Sequence, residues 1–504
     1  MPMKILLVYP EMPDTFYSFK HLTKILGKKV SFPPLGLLTV AAMLPDDWQL
    51  KLIDTNVDEL KDNDIKWGDM IFISAMNTQA ESATKIIERC KSLGATIVAG
   101  GPLFTVEYER FTGVDHFILN EAEITLPLFL KDLQNDELKR IYTTSEFADI
   151  SETPVPKWEL INPADYAYST VQYSRGCPYF CDFCDVTVLF GRRPRVKTAE
   201  QIIAELDSIS KSNKAGMILF ADDNIIGNKA LLKKEILPKL IEWRSKNKYA
   251  PVFATFITIN FSDDEELMHL LIEAGIRMLF IGIETLGDEA LHQINKKQNT
   301  KRDMLDTINK LHEKGFIIAG GFILGFDSDT PAVFQNQIDF INESGMVLVA
   351  VNSLKAPTGT QLYAKMKEQN RIINDLNFDE YRSNIIFKMD NKIFEEGFRK
   401  VIENIYSAES IFKRAKIYLS ATKPVKVKNE LKRKLTLQDI LLGFRLIYFL
   451  GIKDNNRRYF WQMLYWLYRN NKLQYSELAV LFVALIYQYK MMWKRYINMS
   501  AGKE

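Results

Sequence analysis

The sequence has little cysteine and little histidine, and it has no excess of charge of either sign. Four cysteines and five histidines occur among 504 residues. Three of the cysteines lie within eight residues of one another, which indicates a metal or cluster site and not a disulfide framework. The 65 basic and 63 acidic residues leave a net charge of +2. Because such a balance creates no overall field toward polyanions, we expect no nucleic-acid partner.

Long hydrophobic runs are missing as well. No stretch reaches the roughly 20 apolar residues that span a bilayer, and the best candidate, 478–487, is flanked by charges. The apolar run near the N-terminus is interpreted as a first strand, without a signal peptide. Thiolates that hold a cluster need a reducing compartment, so we expect a cytoplasmic protein, with membrane association left open. A chain of this length exceeds one hydrophobic core and predicts several domains.

Residues 1–145 alternate strand and helix patterns. Short apolar runs of the buried parallel type are separated by helical patterns such as Gln79–Leu93. This alternation predicts an α/β, doubly wound, Rossmann-like sheet that binds ligands beyond the carboxyl ends of its strands. The predicted strands are KILLVY (4–9), QLKLID (49–54), MIFISA (70–75), TIVAGG (96–101) and HFILN (116–120). Residues 146–168, rich in Pro and Asp, are predicted to be a linker.

Residues 169–375 form a second alternating region. Six strand patterns with intervening helices such as Ala199–Lys211 and Asp263–Ala274 predict an incomplete, TIM-like (β/α)6 barrel, with chemistry at the carboxyl ends of the strands. The predicted strands are STVQYS (169–174), GMILFA (216–221), FATFITI (253–259), MLFIGIE (278–284), FIIAGGFIL (316–324) and MVLVAVN (346–352). Residues 376–504 are predicted to be a mostly helical domain that includes a basic connector at 422–435.

Cys177, Cys181 and Cys184 stand in a C-x3-C-x2-C loop directly after the first barrel strand. A cubane cluster has four irons, so three thiolates leave one iron open. That iron can chelate the amino and carboxylate groups of S-adenosylmethionine. A structural zinc site is the alternative, but such a site usually needs a fourth Cys or His at close spacing. Cys90, on a predicted helix, is interpreted as an inert core residue.

The loop SRGCPYFCDFC resembles the motif of the radical S-adenosylmethionine superfamily. The resemblance implies a [4Fe–4S] cluster held by Cys177, Cys181 and Cys184, which are then both metal ligands and catalytic residues. It also implies reductive cleavage of S-adenosylmethionine to a 5′-deoxyadenosyl radical. FADDN (220–224), GIET (282–285) and GGFILGFD (320–327) resemble further motifs of the family in the same order. The implied S-adenosylmethionine contacts are Phe183, Asp222, Asp223, Asn224, Asn260 (interpreted as the end of the third strand), Glu284, Gly325 and Phe326.

Two of these motifs also have a purely structural interpretation. Asp and Asn are favoured at the start of a helix, and Glu284 could be an exposed charge at the end of a strand. The N-terminal domain, in turn, resembles the cobalamin-binding subclass of the superfamily. LIDTNVDEL (52–60) occupies the place of an Asp-x-His-x-x-Gly motif, with Asn56 in place of the histidine. The resemblance therefore implies cobalamin without a protein histidine below the cobalt.

The implied cobalamin contacts lie in the loops after the first strands. They are Asp54, Asn56, Ser74, Met76, Thr78, Gln79, Gly100, Gly101, Pro102 and Glu121. Small residues at these strand ends leave room for a corrin, and backbone amides can receive its phosphate. The alternative is a degenerate Rossmann-like domain that only packs against the barrel.

The segments KQNTKRDM (297–304) and SLKAPTGTQLYAKMKEQNRI (353–372) resemble the hopanoid C-2 methylase and related lipid-modifying branch. That likeness implies methylation of an unactivated carbon in a hopanoid- or isoprenoid-like lipid, with an external electron donor of the ferredoxin or flavodoxin type. The aromatic helices of the last hundred residues predict a packed bundle, an apolar substrate mouth or a peripheral membrane contact.

Two other functions remain open. One is a ring-forming or rearranging radical enzyme without methyl transfer. The other is a non-enzymatic cobalamin or cluster sensor, although a sensor has no need of the FADDN, GIE and GFILGF motifs at the strand ends.

Overall fold

The structure is a computed structural model that describes residues 2–15, 18–212, 216–247, 251–373, 382–424 and 437–500. Nearly all of the predicted basic connector, from residue 425 onward, lies outside the described residues.

The N-terminal sheet has six parallel strands in the order β2-β1-β3-β4-β5-β6. They are β1 (Lys4–Tyr9), β2 (Gln49–Asp54), β3 (Met70–Ser74), β4 (Ile97–Gly100), β5 (His116–Ile118) and β6 (Ile141–Tyr142). Both faces are buried, because Leu6 and Val8 belong to one hydrophobic core and Ile5 and Leu7 to a second. The helices are α1 (Lys20–Leu26), α2 (Leu35–Met43), α3 (Asp62–Trp67), α4 (Ala80–Ser92), α5 (Pro102–Glu107) and α6 (Ala122–Gln134). The predicted doubly wound fold is confirmed.

The second sheet is an open, parallel barrel in which the strands follow the order β7-β10-β11-β12-β13-β14, and β8 and β9 form a separate antiparallel ladder. The strands are β7 (Ser169–Val171), β8 (Ser174–Arg175), β9 (Arg195–Val196), β10 (Met217–Phe220), β11 (Val252–Phe256), β12 (Ile276–Glu284), β13 (Ile317–Leu324) and β14 (Leu348–Ser353). The helices are α7 (Val186–Phe190), α8 (Ala199–Ser212), α9 (Lys229–Leu231), α10 (Leu237–Lys246), α11 (Glu265–Glu273), α12 (Asp288–Gln293), α13 (Met304–Glu313), α14 (Ala332–Ser344) and α15 (Gln361–Glu368). Six parallel strands in sequential order confirm the predicted partial barrel.

The third barrel strand is shorter than predicted. It ends at Phe256, and the chain then turns through a 3₁₀ segment, Ile259–Asp263. Ile257 and Ile259 are buried although they lie beyond the strand, so the apolar alternation continues past its end. The prediction that Asn260 ends this strand is therefore wrong, because Asn260 lies on the 3₁₀ turn.

The C-terminal region is helical, as predicted. Its helices are α16 (Asn391–Ile405), α17 (Ala408–Ala421), α18 (Leu437–Leu446), which continues as a π-helical turn over Ile447–Lys453, α19 (Arg457–Arg469) and α20 (Ser476–Ser500). Helix α20 packs on α17, α19 and α1. Gln488 Oε1 accepts hydrogen bonds from the backbone N–H groups of His21 and Leu22, at 3.1 and 3.0 Å. None of the described helices is long and apolar enough to span a membrane.

Candidate active site

The carboxyl edges of the two sheets border one cavity of about 1430 Å³. Ser74 and Gly101 line it from the N-terminal domain, and Thr170 and Asp223 line it from the barrel. Phe394, on α16, closes part of the wall. Both fold types bind ligands beyond the carboxyl ends of their strands, and here those two regions coincide.

The cysteine loop is fixed by its backbone at the first barrel strand. Gly176 has φ +88°, and a Cβ there would lie 3.0–3.1 Å from the carbonyl oxygens of Gly191, Phe190 and Arg193. Only glycine fits this approach, which explains the residue before Cys177. Farther along, the N–H of Cys184 donates to the carbonyl of Cys181 at 3.1 Å. The loop backbone is therefore fixed by the turn at Gly176 and by its own hydrogen bond.

The three thiols are partly or fully buried and lie near one cation, Lys296. Burial raises the pKa of each thiol, that of Cys184 to about 12, while the ammonium group of Lys296 acts on all three in the opposite direction. Gln298 Nε2 also lies 3.9 Å from the Cys181 Sγ. Cluster ligands must be thiolates, and a buried cation favours the charged form. In the described part of the chain, no three His, Cys, Asp or Glu side chains converge as ligands of a single metal ion.

Glu284, at the end of β12, forms a buried ion pair. Its Oε1 lies 2.8 Å from Lys296 Nζ, and the two side chains are 9 % and 10 % exposed. Burial lowers the pKa of Lys296, but Glu284 and the thiol of Cys181 more than offset that effect, so the pKa is raised. The alternative interpretation of Glu284 as an exposed charge is wrong. Sequence reasoning missed Lys296, which carries no signal that separates it from Lys297.

The FADDN segment sends its polar side chains to three different partners. Asp222 Oδ1 accepts from the Ser174 hydroxyl at 2.6 Å, and Asn224 Oδ1 accepts from the Thr258 N–H at 3.2 Å. Asp223 lines the cavity, and its Oδ2 accepts from the N–H of Gly176 at 2.7 Å. Burial raises the pKa of Asp222 to about 7 and that of Asp223 to about 6. Of the three predicted contacts, Asp223 is the one that faces the cavity.

The other predicted S-adenosylmethionine contacts surround the cysteine loop without lining the cavity. Asn260 Nδ2 donates to the Tyr179 hydroxyl at 2.9 Å, so the 3₁₀ turn contacts the loop directly. Phe326 belongs to a small hydrophobic cluster against which Phe183 packs. A Cβ on Gly325 would lie 2.6 Å from the ring of Phe387. The space beside Gly325 is therefore occupied by a side chain that the sequence did not point to.

The N-terminal edge of the cavity is built from short side chains. Asn56, Ser74, Met76, Thr78, Gly100, Gly101, Pro102 and Glu121 all line it. The remaining two predicted contacts lie behind them. Asp54 Oδ1 accepts from Asn56 Nδ2 at 2.6 Å, and Gln79 Oε1 accepts from the Met76 N–H at 2.8 Å. Asp54 and Gln79 thus hold the loops in place. Because Asn56 Oδ1 also accepts from the Met12 N–H at 2.7 Å, the whole Asn56 amide is engaged within the protein.

Glu121 joins the two domains. Its carboxylate lies 3.0 Å from Arg175, next to the cysteine loop, and 2.7 Å from Arg195 on β9. Glu123 pairs with Arg175 as well, at 2.8 Å. All four side chains are at most 14 % exposed. Glu121, which the resemblance assigns to cobalamin, therefore also forms an ion-paired contact between the N-terminal domain and the cysteine loop.

Several buried acceptors around the cavity lack a hydrogen-bond partner among the described residues. They are Asn77 Oδ1 on the N-terminal side, and Asp222 Oδ2, Asn260 Oδ1 and Gln298 Oε1 near the cysteine loop. Buried polar atoms are almost always satisfied, so unpaired ones indicate where a ligand donates. The amide groups of a corrin suit Asn77, and the amino and hydroxyl groups of S-adenosylmethionine suit the other three. The residues present therefore fit both groups.

Comparison with known families gives the chain its class. Residues 171–341 match the radical SAM superfamily, residues 28–130 match the B12 binding domain, and residues 360–499 match a domain of unknown function. The chain is 31 % identical to the hopanoid C-2 methylase of Rhodopseudomonas palustris, over 91 % of this chain and 88 % of that one. An uncharacterized methyltransferase of Synechocystis sp. is 32 % identical over 95 % of this chain and 90 % of its own length.

The chain belongs to the cobalamin-binding radical S-adenosylmethionine enzymes, and it is a methyltransferase of that family. Its cofactors are a [4Fe–4S] cluster, S-adenosylmethionine and cobalamin. The structure of the cobalamin-dependent S-adenosylmethionine radical enzyme OxsB shares the fold, with a TM-score of 0.64 at 17 % identity, covering 100 % of this chain and 81 % of that one.

Proposed function

We propose that this enzyme methylates an unactivated carbon of a lipid-like, polycyclic or isoprenoid substrate. The cavity shared by the two sheet edges carries the proposal, because the loops assigned to cobalamin, Asp223 beside the cysteine loop and an aromatic wall all border the same space. The named function of the Rhodopseudomonas relative supports the substrate class.

The wall of the cavity nearest the barrel and α16 is aromatic. Phe256 and Phe280 stack with ring centroids 4.9 Å apart, and Phe387 and Phe394 lie 4.4 Å apart. All four rings line the cavity. Such a surface binds an apolar ring system by burial of hydrocarbon and excludes water from a reactive site. A hydrophilic substrate would find few partners on it.

The residues around the cysteine loop are assigned to S-adenosylmethionine. Cys177, Cys181 and Cys184 hold the cluster, Asp223 binds the amino group, and Glu284 accepts the ribose hydroxyls. Phe183, Asp222, Asn224, Asn260, Gly325 and Phe326 shape this part of the site. When bound, the cluster and S-adenosylmethionine supply the radical that removes a hydrogen atom from carbon, and cobalamin relays the methyl group.

The N-terminal loops are assigned to cobalamin. Ser74, Met76, Thr78, Gly100, Gly101 and Pro102 receive the corrin, with Glu121 at its rim and Asp54, Asn56 and Gln79 behind. Because Asn56 is fully hydrogen-bonded, it offers the cobalt no ligand. A ferredoxin- or flavodoxin-type protein supplies electrons, and the reducing cytoplasm is the proposed location.

Lipid profiling of a deletion strain tests the substrate class. We expect one family of lipids to lose a methyl group and the complemented strain to regain it. A strain that carries Cys181→Ala at the same locus is the matched control and should resemble the deletion. An unchanged lipid profile, with a methyl group missing from a polar metabolite instead, would contradict the proposal.

A further inference from the structure

The C-terminal helices expose apolar and aromatic side chains in two regular stripes. Along α18 and the π-helical turn, exposed residues recur at intervals of three or four, which places them on one side of the helix. The first stripe consists of Leu441, Phe444, Tyr448 and Ile452, and the second, on α19, of Trp461, Tyr465 and Tyr468. Each of these side chains is 50–68 % exposed. Large apolar side chains this exposed and this regular mark a contact surface.

The two stripes meet where the π-helical turn contacts the start of α19. The Trp461 indole N–H donates to the carbonyl of Gly451 at 2.9 Å and so ties α19 to the π-helical turn. A Cβ on Gly451 would lie 3.0 Å from the Phe460 ring and 3.2 Å from Trp461, so the two segments pack in close contact. We refer to the seven residues of both stripes as the aromatic face.

Basic side chains surround the aromatic face. Arg445, Lys453, Arg457, Arg458 and Arg469 are exposed and alternate along the chain with the aromatic residues. Among the described residues, none of the five has an ion-pair partner. The single acidic residue within 441–475, Asp454, is 5 % exposed and pairs with Lys490 at 2.9 Å. The surface is therefore apolar at its centre and positively charged around it.

We propose that the aromatic face docks on the surface of a membrane that contains anionic lipids. Trp and Tyr rings favour the headgroup level of a bilayer, and neighbouring Lys and Arg side chains bind the lipid phosphates. The helices then lie in the interface, since none of the described helices can span a bilayer. Charge complementarity selects this partner over a second copy of the chain, because two copies of this face would bring like charges together.

Helix α1 connects the helix that carries the first stripe to the cavity. Helix α1 packs against α18 and α20, and residues directly before and at its start, Ser18, Phe19 and Lys20, line the cavity. The Arg445 guanidinium also lies against Gly27 at the end of α1. Docking on this face would bring α1, and the part of the cavity that it borders, near a supply of apolar substrate.

Vesicle co-sedimentation of the full-length, reconstituted protein tests the proposal. The probes are phosphatidylcholine vesicles with and without phosphatidylglycerol, and no substrate is present, so the outcome does not depend on which carbon the enzyme methylates. One variant carries Phe444→Ser, Tyr465→Ser and Tyr468→Ser, and another carries Arg457→Glu and Arg469→Glu. Leu128→Ser, at an exposed apolar position of the N-terminal domain, and Lys234→Glu, on the barrel, are the matched controls.

We expect the wild type and both controls to bind the anionic vesicles, with binding that weakens as salt is added. The double Glu variant should bind at least about 25-fold more weakly, since each basic residue near an anionic surface contributes about fivefold. The triple Ser variant should lose binding while keeping the wild-type melting temperature. Equal binding by wild type and both variants would overturn the proposal. So would a wild-type dimer that the same substitutions dissociate, without any vesicle binding.

Discussion

The two sheet edges beside the cavity share the same backbone arrangement but carry different side chains. Both are the carboxyl edges of six parallel strands. The N-terminal edge ends in Ser74, Gly100 and Gly101, which contact the cavity with hydroxyl and main-chain groups. The barrel edge carries Asp223, which lines the cavity and accepts from the Gly176 N–H, and Glu284, a buried carboxylate that pairs with Lys296 and does not line the cavity.

The difference fits the ligand proposed for each edge. A corrin is large and its rim consists of amides, so it needs space and neutral hydrogen bonds. S-adenosylmethionine is small and charged, so it needs fixed charges that a low-dielectric site makes strong. The edges meet in the ion pairs of Glu121 and Glu123 with Arg175. The parallel sheets thus determine where a ligand binds, and the residues that follow each strand determine which ligand fits there.

The largest expected effect is the loss of iron at the barrel edge while the N-terminal edge still binds cobalamin. Replacing Cys177, Cys181 and Cys184 by Ala should remove all iron, because no other thiol is near, yet cobalamin should still bind to the N-terminal edge. Iron analysis and the absorbance of bound cobalamin measure the two effects. Cys90→Ala, a buried core position on α4, is the control and should keep its iron. Stoichiometric zinc in the native protein would contradict the cluster assignment.

A smaller effect is expected at the charged edge. Glu284→Ala leaves the ribose hydroxyls without an acceptor, at a cost of about 1–3 kcal/mol, or about 5- to 150-fold in S-adenosylmethionine affinity. It also leaves Lys296 buried and unpaired, which should lower the melting temperature. Glu284→Gln keeps one acceptor oxygen and should lose less affinity.

Calorimetric titration of S-adenosylmethionine measures these losses. Glu289→Ala, at an exposed position on α12, is the control for Glu284→Ala. Unchanged affinity in Glu284→Ala would mean that Glu284 serves only to neutralise Lys296.

A third substitution tests the N-terminal edge. Gly101 has φ +93°, and a Cβ there would lie 2.8 Å from Ser74 Oγ. Gly101→Ala should weaken cobalamin binding about 5- to 150-fold, because the added Cβ moves the loop out of this conformation, and restoring the conformation on binding costs roughly 1–3 kcal/mol. Gly94→Ala is matched in backbone, with φ +75°, but a Cβ there meets nothing within 4 Å. That control should bind cobalamin normally, and a similar loss in both variants would point to general instability.

The smallest expected effect is a pH dependence of S-adenosylmethionine affinity, which arises at the barrel edge. Burial raises the pKa of Asp223 from 3.8 to about 6, so its carboxylate gains a proton as the pH falls through 6. S-adenosylmethionine affinity should be constant above that value, fall by about half at it, and drop about tenfold per further pH unit. The same shift lowers the stability of the cofactor-free protein as the pH rises from 3.8 toward 6, because the folded state binds the extra proton. In Asp223→Asn, the affinity for S-adenosylmethionine should no longer depend on pH in this range. If the variant showed the same pH profile as the wild type, Asp223 would be excluded as the source of the pH dependence.

Cobalamin coordination distinguishes the edges in another way. The Asn56 amide is fully used within the protein, so cob(II)alamin bound to the N-terminal edge should show no splitting from an axial histidine nitrogen. Electron paramagnetic resonance measures this directly. A histidine splitting would show that the corrin lies elsewhere.

The fold could be predicted well because its signals are local. Each buried parallel strand is a short apolar run, and the cysteine spacing marks the loop that follows β7. The end of β11 could not be predicted, since Ile257 and Ile259 remain buried beyond it and continue the same alternation. Asn260 was consequently placed on the wrong element.

The partners of the site residues could not be predicted, because they come from distant segments. Lys296 resembles Lys297 in sequence and differs from it only in burial. Phe387 reaches Gly325 from the C-terminal side, and Arg175 meets Glu121 across a domain boundary. Sequence motifs predict which groups face the ligands, whereas tertiary packing decides which charges neutralise them. The residue roles assigned to S-adenosylmethionine and cobalamin, and the predicted domain boundaries, remain predictions.

Product analysis of a single reaction tests the central claim most directly. The reconstituted enzyme, with S-adenosylmethionine, a reductant and a lipid extract from the deletion strain, should form S-adenosylhomocysteine and 5′-deoxyadenosine in equal amounts together with a methylated lipid. S-adenosylhomocysteine reports methyl transfer, which the account assigns to the N-terminal edge. 5′-Deoxyadenosine reports radical formation, which the account assigns to the barrel edge. Formation of 5′-deoxyadenosine with no S-adenosylhomocysteine and no methylated lipid would contradict the account, and it would indicate a ring-forming or rearranging enzyme.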